Sequence, residues 1–255
     1  MKMESTISVS AWGEPPPTIR LDRDEVHVWQ AELETSSVRI DTYLNTLAEE
    51  EKSRADRLYF QRDRNRFIVA HGILRAILGR YLNRAPHTLL FRYGSHGKPA
   101  LDFEHGPHAI HFNISHSHGM ALYAIARGRQ VGIDVELTHR DLEVDQIADR
   151  FFSHGEIATL RALPRDVRKY AFFLCWTRKE AYIKARGEGL SLPLDQFEVS
   201  LIPGEPAALL STVPDSDEVS RWSLRELAPT SDYVAALAVE GSGWSLSCWQ
   251  WPRSP

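Results

Sequence analysis

Three carboxylates and a lysine, on two segments about forty residues apart, are the groups in this chain best suited to chemistry. Asp134 and Glu136 stand two apart in Val131-Gly132-Ile133-Asp134-Val135-Glu136-Leu137. On a strand both point to one face, while Ile133, Val135 and Leu137 point to the other. Adjacent like charges are unfavourable unless a cation lies between them; a solvated edge-strand face is the plainer alternative. Glu180 lies in Trp176-Thr177-Arg178-Lys179-Glu180-Ala181-Tyr182-Ile183-Lys184. As a helix this stacks Trp176, Glu180 and Lys184 along one face. Phe173, seven residues before Glu180, places the carboxylate on an otherwise apolar stripe, where desolvation costs several kcal/mol without a compensating cation or metal. The alternative is an ordinary Glu–Lys helix pair, worth about 0.3–0.5 kcal/mol. Together the three carboxylates make a hard, all-oxygen set that suits magnesium completed by water and substrate phosphate. Lys184, one turn beyond Glu180, could neutralise a phosphate oxygen as charge develops. Metal-assisted chemistry on a phosphate ester or diphosphate is the class these residues point to.

The elements that must hold these groups are legible around them. The spacing predicts a long helix over 166–186 ended by Gly187, and Ser153 with Glu156 reads as a capping box opening an earlier helix. Gly132 leaves room for something bulky to approach the backbone. From Lys52 to Arg66, six basic residues (Arg54, Arg57, Arg62 and Arg64 among them) face two acidic ones. Such a stretch is either a solvated helix face or a holder of polyanions, since guanidinium forks fit phosphate oxygens. An apolar helix follows to Leu82, then a strand at 89–93, the turn Gly94–Pro99 and a hairpin around His118-Gly119. Further strands are predicted at 26–33, 197–202 and 233–239, with loops over 203–218. Helix 64–82, strand 91–93 and strand 121–126 recur in kind as 168–186, 197–199 and 234–239. The expected fold is therefore α+β, with two similar α/β half-domains, 24–127 and 128–255, related by a pseudo-twofold. A ligand cleft is expected at their seam. Residues 1–23, with Pro15-Pro16-Pro17, read as a lead-in tail that joins no core.

At 255 residues, 43% apolar and 25% charged, the chain has ordinary globular composition. A net charge of −4 argues against a general nucleic-acid binder. Cys175 and Cys248 are too few for a disulfide scaffold. His105, His108, His111 and His116 match no usual zinc spacing. There is no glycine-rich phosphate loop of the Walker type. The start of the chain lacks a signal-peptide core, and no apolar run approaches the ~20 residues that span a bilayer. A cytoplasmic protein away from membranes is the expectation.

Gly132-Ile133-Asp134-Val135-Glu136, followed by Trp176-Thr177-Arg178-Lys179-Glu180-Ala181 and Lys184, resembles the paired signature of the 4′-phosphopantetheinyl transferases, in the larger surfactin-type class with two halves in one chain. Gly97-Lys98-Pro99, Phe112-Asn113-Ile114-Ser115-His116-Ser117 and Gly187-Glu188-Gly189-Leu190 look like further motifs of that family, in its order, across roughly residues 50–200. The resemblance implies transfer of phosphopantetheine from coenzyme A to a serine of an acyl or peptidyl carrier protein, leaving 3′,5′-ADP. It implies that Asp134, Glu136 and Glu180 bind magnesium, that Glu180 takes the serine proton, and that Lys184 contacts the transferred phosphate. Ser115 and His116 match contacts to the adenosine 3′-phosphate end. Lys98 and Arg66 match other coenzyme A contacts, and Arg54 matches more loosely. With both halves present, the cleft needs no second subunit, so a monomer is expected. Alternatives are a magnesium-dependent phosphohydrolase, which would release phosphate with water alone, or a non-catalytic module that binds coenzyme A or a carrier protein without turnover.

Overall fold

The computed structural model of the chain describes residues 12–102, 106, 108–213 and 215–252. The first half runs β1 (Glu25–Glu32), α1 (Ser37–Leu44), α2 (Glu49–Asp56), α3 (Gln61–Leu82), β2 (Phe91–Tyr93), β3 (Pro99–Leu101), β4 (Ile110–Ser117) and β5 (Met120–Arg127). The second runs β6 (Val131–Leu137), α4 (Val144–Phe151), α5 (His154–Ala162), α6 (Arg165–Arg186), β7 (Phe197–Val199), β8 (Leu209–Thr212), α7 (Glu218–Arg221), β9 (Trp222–Leu227), β10 (Tyr233–Glu240) and β11 (Ser245–Gln250).

The halves repeat one plan. α3 and α6 are 22 residues each; the short hairpins β2–β3 and β7–β8 follow them. The sheet order β1-β5-β4 in one half corresponds to β6-β10-β9 in the other. The two sheets face each other: Val26, Val28, Leu122, Ala124 and Ala126 of the first meet Val131, Ile133, Val135, Ala235 and Leu237 of the second. The outer face of the first sheet carries α3 and that of the second carries α6, so helix, sheet, sheet and helix form four layers. This explains why β5 and β10 are almost continuously apolar, for each is covered on both faces. Each large aliphatic side chain so buried contributes about 1.5–3 kcal/mol.

Three features differ from the expectations above. The lead-in is no free tail over its described part: Leu21 is buried in the first core and Ile19 packs on it, while Gly13 N donates to Cys248 O at 3.0 Å. Its few apolar residues find cover that proline-rich composition does not announce. β11 leaves the second half and pairs in parallel with β1, Trp29 opposite Trp249, so the division at Gly128 assigns to the second half a strand of the first sheet. The stretch 203–218 holds strand β8 as well as loops, since Leu209 has an apolar site to fill. His105 lies outside the described residues.

Candidate active site

Gly132 fixes how the two carboxylate segments meet. A Cβ there would lie 2.1 Å from Ala181 O and 2.3 Å from Ala185 N, so what approaches the strand is the backbone of α6 itself. Only a glycine lets α6 cross β6 this closely. The crossing brings Glu180 and Lys184 over the face that carries Asp134 and Glu136. Along α6, successive residues turn by about 100°, which splits one motif between two environments. Arg178 and Lys179 turn into the second core, where the Arg178 guanidinium donates to Ser200 O and to Glu226, and Lys179 Nζ donates to Leu194 O and Phe197 O and pairs with Glu156 at 2.7 Å. Trp176 packs between the rings of Phe151 and Phe172. Glu180 alone of Arg178-Lys179-Glu180 faces the seam.

At the seam Lys184 Nζ lies 2.6 Å from Asp134 Oδ1 and donates to Ser115 Oγ at 3.1 Å, while Ser115 Oγ donates to the same Asp134 oxygen at 2.8 Å. Glu136 Oε2 accepts from Ser117 Oγ at 2.7 Å and from Arg140 Nη1 at 2.9 Å. Burial, then the charges of Asp134 and Glu136, push the Glu180 carboxyl up to about 7, with Lys184 opposing the rise. Glu180 and Lys184 border an open cavity of about 380 Å³, also lined by His96–Pro99, Asn113, Ile114, Ile183, Gly187 and Gly189. The cavity lies between the β2–β3 loop of one half and α6 of the other. A group held here meets a carboxyl able to gain or lose a proton near neutral pH, and a lysine on its rim.

Of the residues expected in this site, Ser115, Asp134, Glu136, Glu180 and Lys184 are brought together. Lys98 lines the cavity with its stem, but its Nζ turns to Val131 O at 3.1 Å and Ala185 O at 3.0 Å, tying the loop to β6 and the end of α6. Burial lowers its pKa to about 8, partly offset by Glu240. His116 lies outside the cavity lining, and desolvation, then His71, Lys184 and Arg66, hold its pKa below the usual imidazole value. Arg66 forks onto Glu34 Oε1 at 2.8 and 2.6 Å. Arg54 pairs with Glu50 and stacks over Tyr93, 4.1 Å from the ring centroid. Neither arginine lines the cavity: the basic stretch is broken into α2 and α3, where Arg54 pairs with Glu50 of α2 and Arg66 with Glu34 ahead of α1. His108 sits beside Arg23 and His111 within electrostatic reach of Lys98, so these histidines serve separate places.

Asn113, Ser117 and Arg140 were not singled out in the sequence for roles here. Asn113 Oδ1 accepts from Ile133 N at 2.8 Å and holds β6 against β4. The alternation Asn113-Ser115-Ser117 on a strand was visible, but not which neighbour it would face.

The protein matches two family descriptions: 4′-phosphopantetheinyl transferase N-terminal over residues 29–127, and the 4′-phosphopantetheinyl transferase superfamily over 130–238. It is 41% identical to the 4′-phosphopantetheinyl transferase HetI of Nostoc sp., over 94% of this chain and 98% of that protein. The chain belongs to the 4′-phosphopantetheinyl transferase family. The transferase is also 33% identical to the 4′-phosphopantetheinyl transferase Sfp of Bacillus subtilis, over 63% of this chain and 69% of that one. The superfamily match covers both carboxylate segments of the transferase, β6 and α6. Among its described residues no helix is long and apolar enough to cross a membrane.

Proposed function

We propose that the seam cavity of this transferase binds the reacting end of coenzyme A, and that phosphopantetheine passes there to a serine hydroxyl of an apo carrier protein, with release of 3′,5′-ADP. The observation that carries this is Glu180, a carboxyl pushed up to about 7, lining a cavity shared by both halves beside Lys184 and Asp134. Glu180 takes the proton of the attacking serine, directly or through a water, from its place on the cavity wall beside Lys184. Lys184 meets the transferred phosphate on its side of the cavity and offsets the charge that develops there. Ser115 and His116 take the adenosine 3′-phosphate end, with Lys98, Arg66 and Arg54 as outer cations. Of these, Arg66 and Arg54 must first leave Glu34 and Glu50.

Magnesium fits this set. Asp134 Oδ2 is buried with no hydrogen-bond partner, and Asp134, Glu136 and Glu180 supply the hard oxygen donors that magnesium takes. Among the described residues no group of three or more His, Cys, Asp or Glu side chains is gathered to hold a metal as it stands; Lys184 and Arg140 occupy one oxygen each of Asp134 and Glu136. The three carboxylates would hold the ion through the oxygens those cations leave free, the buried Asp134 Oδ2 among them. Bound there, magnesium would offset the charge of the diphosphate.

The halves divide functionally at 127/128, with 24–127 supplying the loop and β4 side of the cavity and 128–255 the carboxylates. Because one chain holds both sides, it acts as a monomer, which a light-scattering mass would check. Incubation with coenzyme A, magnesium and an apo carrier protein should raise the carrier's mass by one phosphopantetheine group. Folded protein that modifies none of several acyl and peptidyl carriers would overturn the proposal.

A further inference from the structure

Two serines of β4 repeat one arrangement across the seam. Ser115 Oγ donates to Asp134 Oδ1 at 2.8 Å, and Ser117 Oγ donates to Glu136 Oε2 at 2.7 Å. In each case a cation shares the oxygen that the serine holds: Lys184 Nζ on Oδ1 at 2.6 Å, Arg140 Nη1 on Oε2 at 2.9 Å. In each case the second carboxylate oxygen is left over. Asp134 Oδ2 is buried and unpartnered, and no hydrogen bond reaches Glu136 Oε1 among the described residues.

The serines are themselves fixed. Ser117 is buried, and its Oγ also accepts from Leu137 N at 3.4 Å. One step along, Asn113 Oδ1 accepts from Ile133 N, so three alternate side chains of β4 lace it to β6. β4 and β6 belong to different sheets and are not paired to each other. What aims the carboxylates of the second half is therefore a row of side chains from the first.

We infer that Ser117 is a positioning residue for a divalent cation. By holding Glu136 Oε2 it turns Oε1 toward the face shared with Asp134, as Ser115 does for Asp134 Oδ2. This rests on the magnesium reading of the site. A carboxylate with one oxygen anchored by a strand-borne hydroxyl loses the freedom to swing its other oxygen away, and outer partners of this kind commonly change metal affinity by about 10–100-fold. Arg140 grips the same oxygen from a more exposed position, so Ser117→Ala removes the buried one of two anchors.

The test compares the full-length protein with Ser117→Ala and Ser117→Thr in the presence of saturating coenzyme A. Free manganese is followed by electron paramagnetic resonance, and the KM for coenzyme A and the melting temperature are measured alongside. Ser117→Ala should weaken manganese binding on the order of tenfold or more and leave the KM for coenzyme A within about twofold. Ser117→Thr, which keeps the hydroxyl, should restore most of the affinity. Equal manganese affinity in Ser117→Ala and the unsubstituted protein would overturn this inference and leave the magnesium site standing. So would equal losses in the alanine and threonine variants with a matching fall in melting temperature, the mark of a structural role alone. An unsubstituted protein that binds no manganese would overturn the magnesium reading and this inference together.

Discussion

Lys184 Nζ sits 2.6 Å from Asp134 Oδ1, so the lysine one turn beyond Glu180 ties helix α6 to strand β6. Asp134 is nearly buried, whereas Lys184 keeps 28% of its side chain exposed. The lysine can therefore be shared: its outer side faces the cavity and its inner side holds a carboxylate. A substrate phosphate competes with Asp134 Oδ1 for one ammonium, while the buried Asp134 Oδ2 is the oxygen the proposed magnesium would take.

If Lys184 acts on charge that develops during transfer, Lys184→Met should lower kcat on the order of a hundredfold and change the KM for coenzyme A much less. Steady-state kinetics at saturating carrier protein would check the split. A variant with normal kcat and a raised KM would confine Lys184 to ground-state binding.

Lys179, five residues earlier in the same motif, should behave in the opposite way. Its side chain is fully buried and paired with Glu156, which is also buried. Removing one partner strands the other charge in the core, a loss of about 3–5 kcal/mol. Urea unfolding of Lys179→Met should show that loss, and an unchanged midpoint would contradict the structural role given to this lysine.

Gly132→Ala tests the crossing that assembles the site. The added methyl would meet Ala181 O and Ala185 N, main-chain atoms that cannot swing aside. Forcing α6 away should cost at least the upper part of the about 1–3 kcal/mol typical of overpacking. Thermal melting would register it, together with loss of transfer. A variant of normal stability and activity would mean that helix and strand do not touch here.

Lys98 supplies a pH dependence. Its folded pKa is lowered from 10.5 to about 8, so between these values the unfolded chain holds a proton that the folded one has lost. Stability must then rise with pH across that window. The penalty of the buried charge is present in full below about pH 8 and is relieved by pH 10.5. Subtracting the unfolding free energy of Lys98→Met from that of the unsubstituted protein, pH by pH, should isolate this rise. A flat difference between pH 8 and 10.5 would contradict it.

Much of this is legible in the sequence itself. The period of two in Asp134-Val135-Glu136 and the period of four through Trp176, Glu180 and Lys184 are local patterns, and β6 and α6 carry them as expected. The repeat of helix, short strand and long strand was readable for the same reason, since each half folds its own neighbours together. What escaped the sequence depends on distant partners. β11 pairs with β1 some 220 residues away, and nothing in Ser245–Gln250 names that edge. Lys98 is held by main-chain carbonyls, which leave no mark on residue type. The contact of Arg66 with Glu34 joins two elements and leaves no mark on spacing, whereas the i,i+4 pair of Arg54 with Glu50 is a local pattern that the reading of the basic stretch did not use.

The central claim is that Glu180, at the seam between the halves, is where the transfer happens. Glu180→Gln keeps the shape and removes the proton acceptor. The decisive measurement is the mass of an apo carrier protein after incubation with coenzyme A, magnesium and either the unsubstituted enzyme or Glu180→Gln, with circular dichroism confirming that both are folded. The unsubstituted enzyme should add one phosphopantetheine group and Glu180→Gln should add none on the same timescale. A folded Glu180→Gln that modifies the carrier at near-normal rate would contradict the assignment of the site.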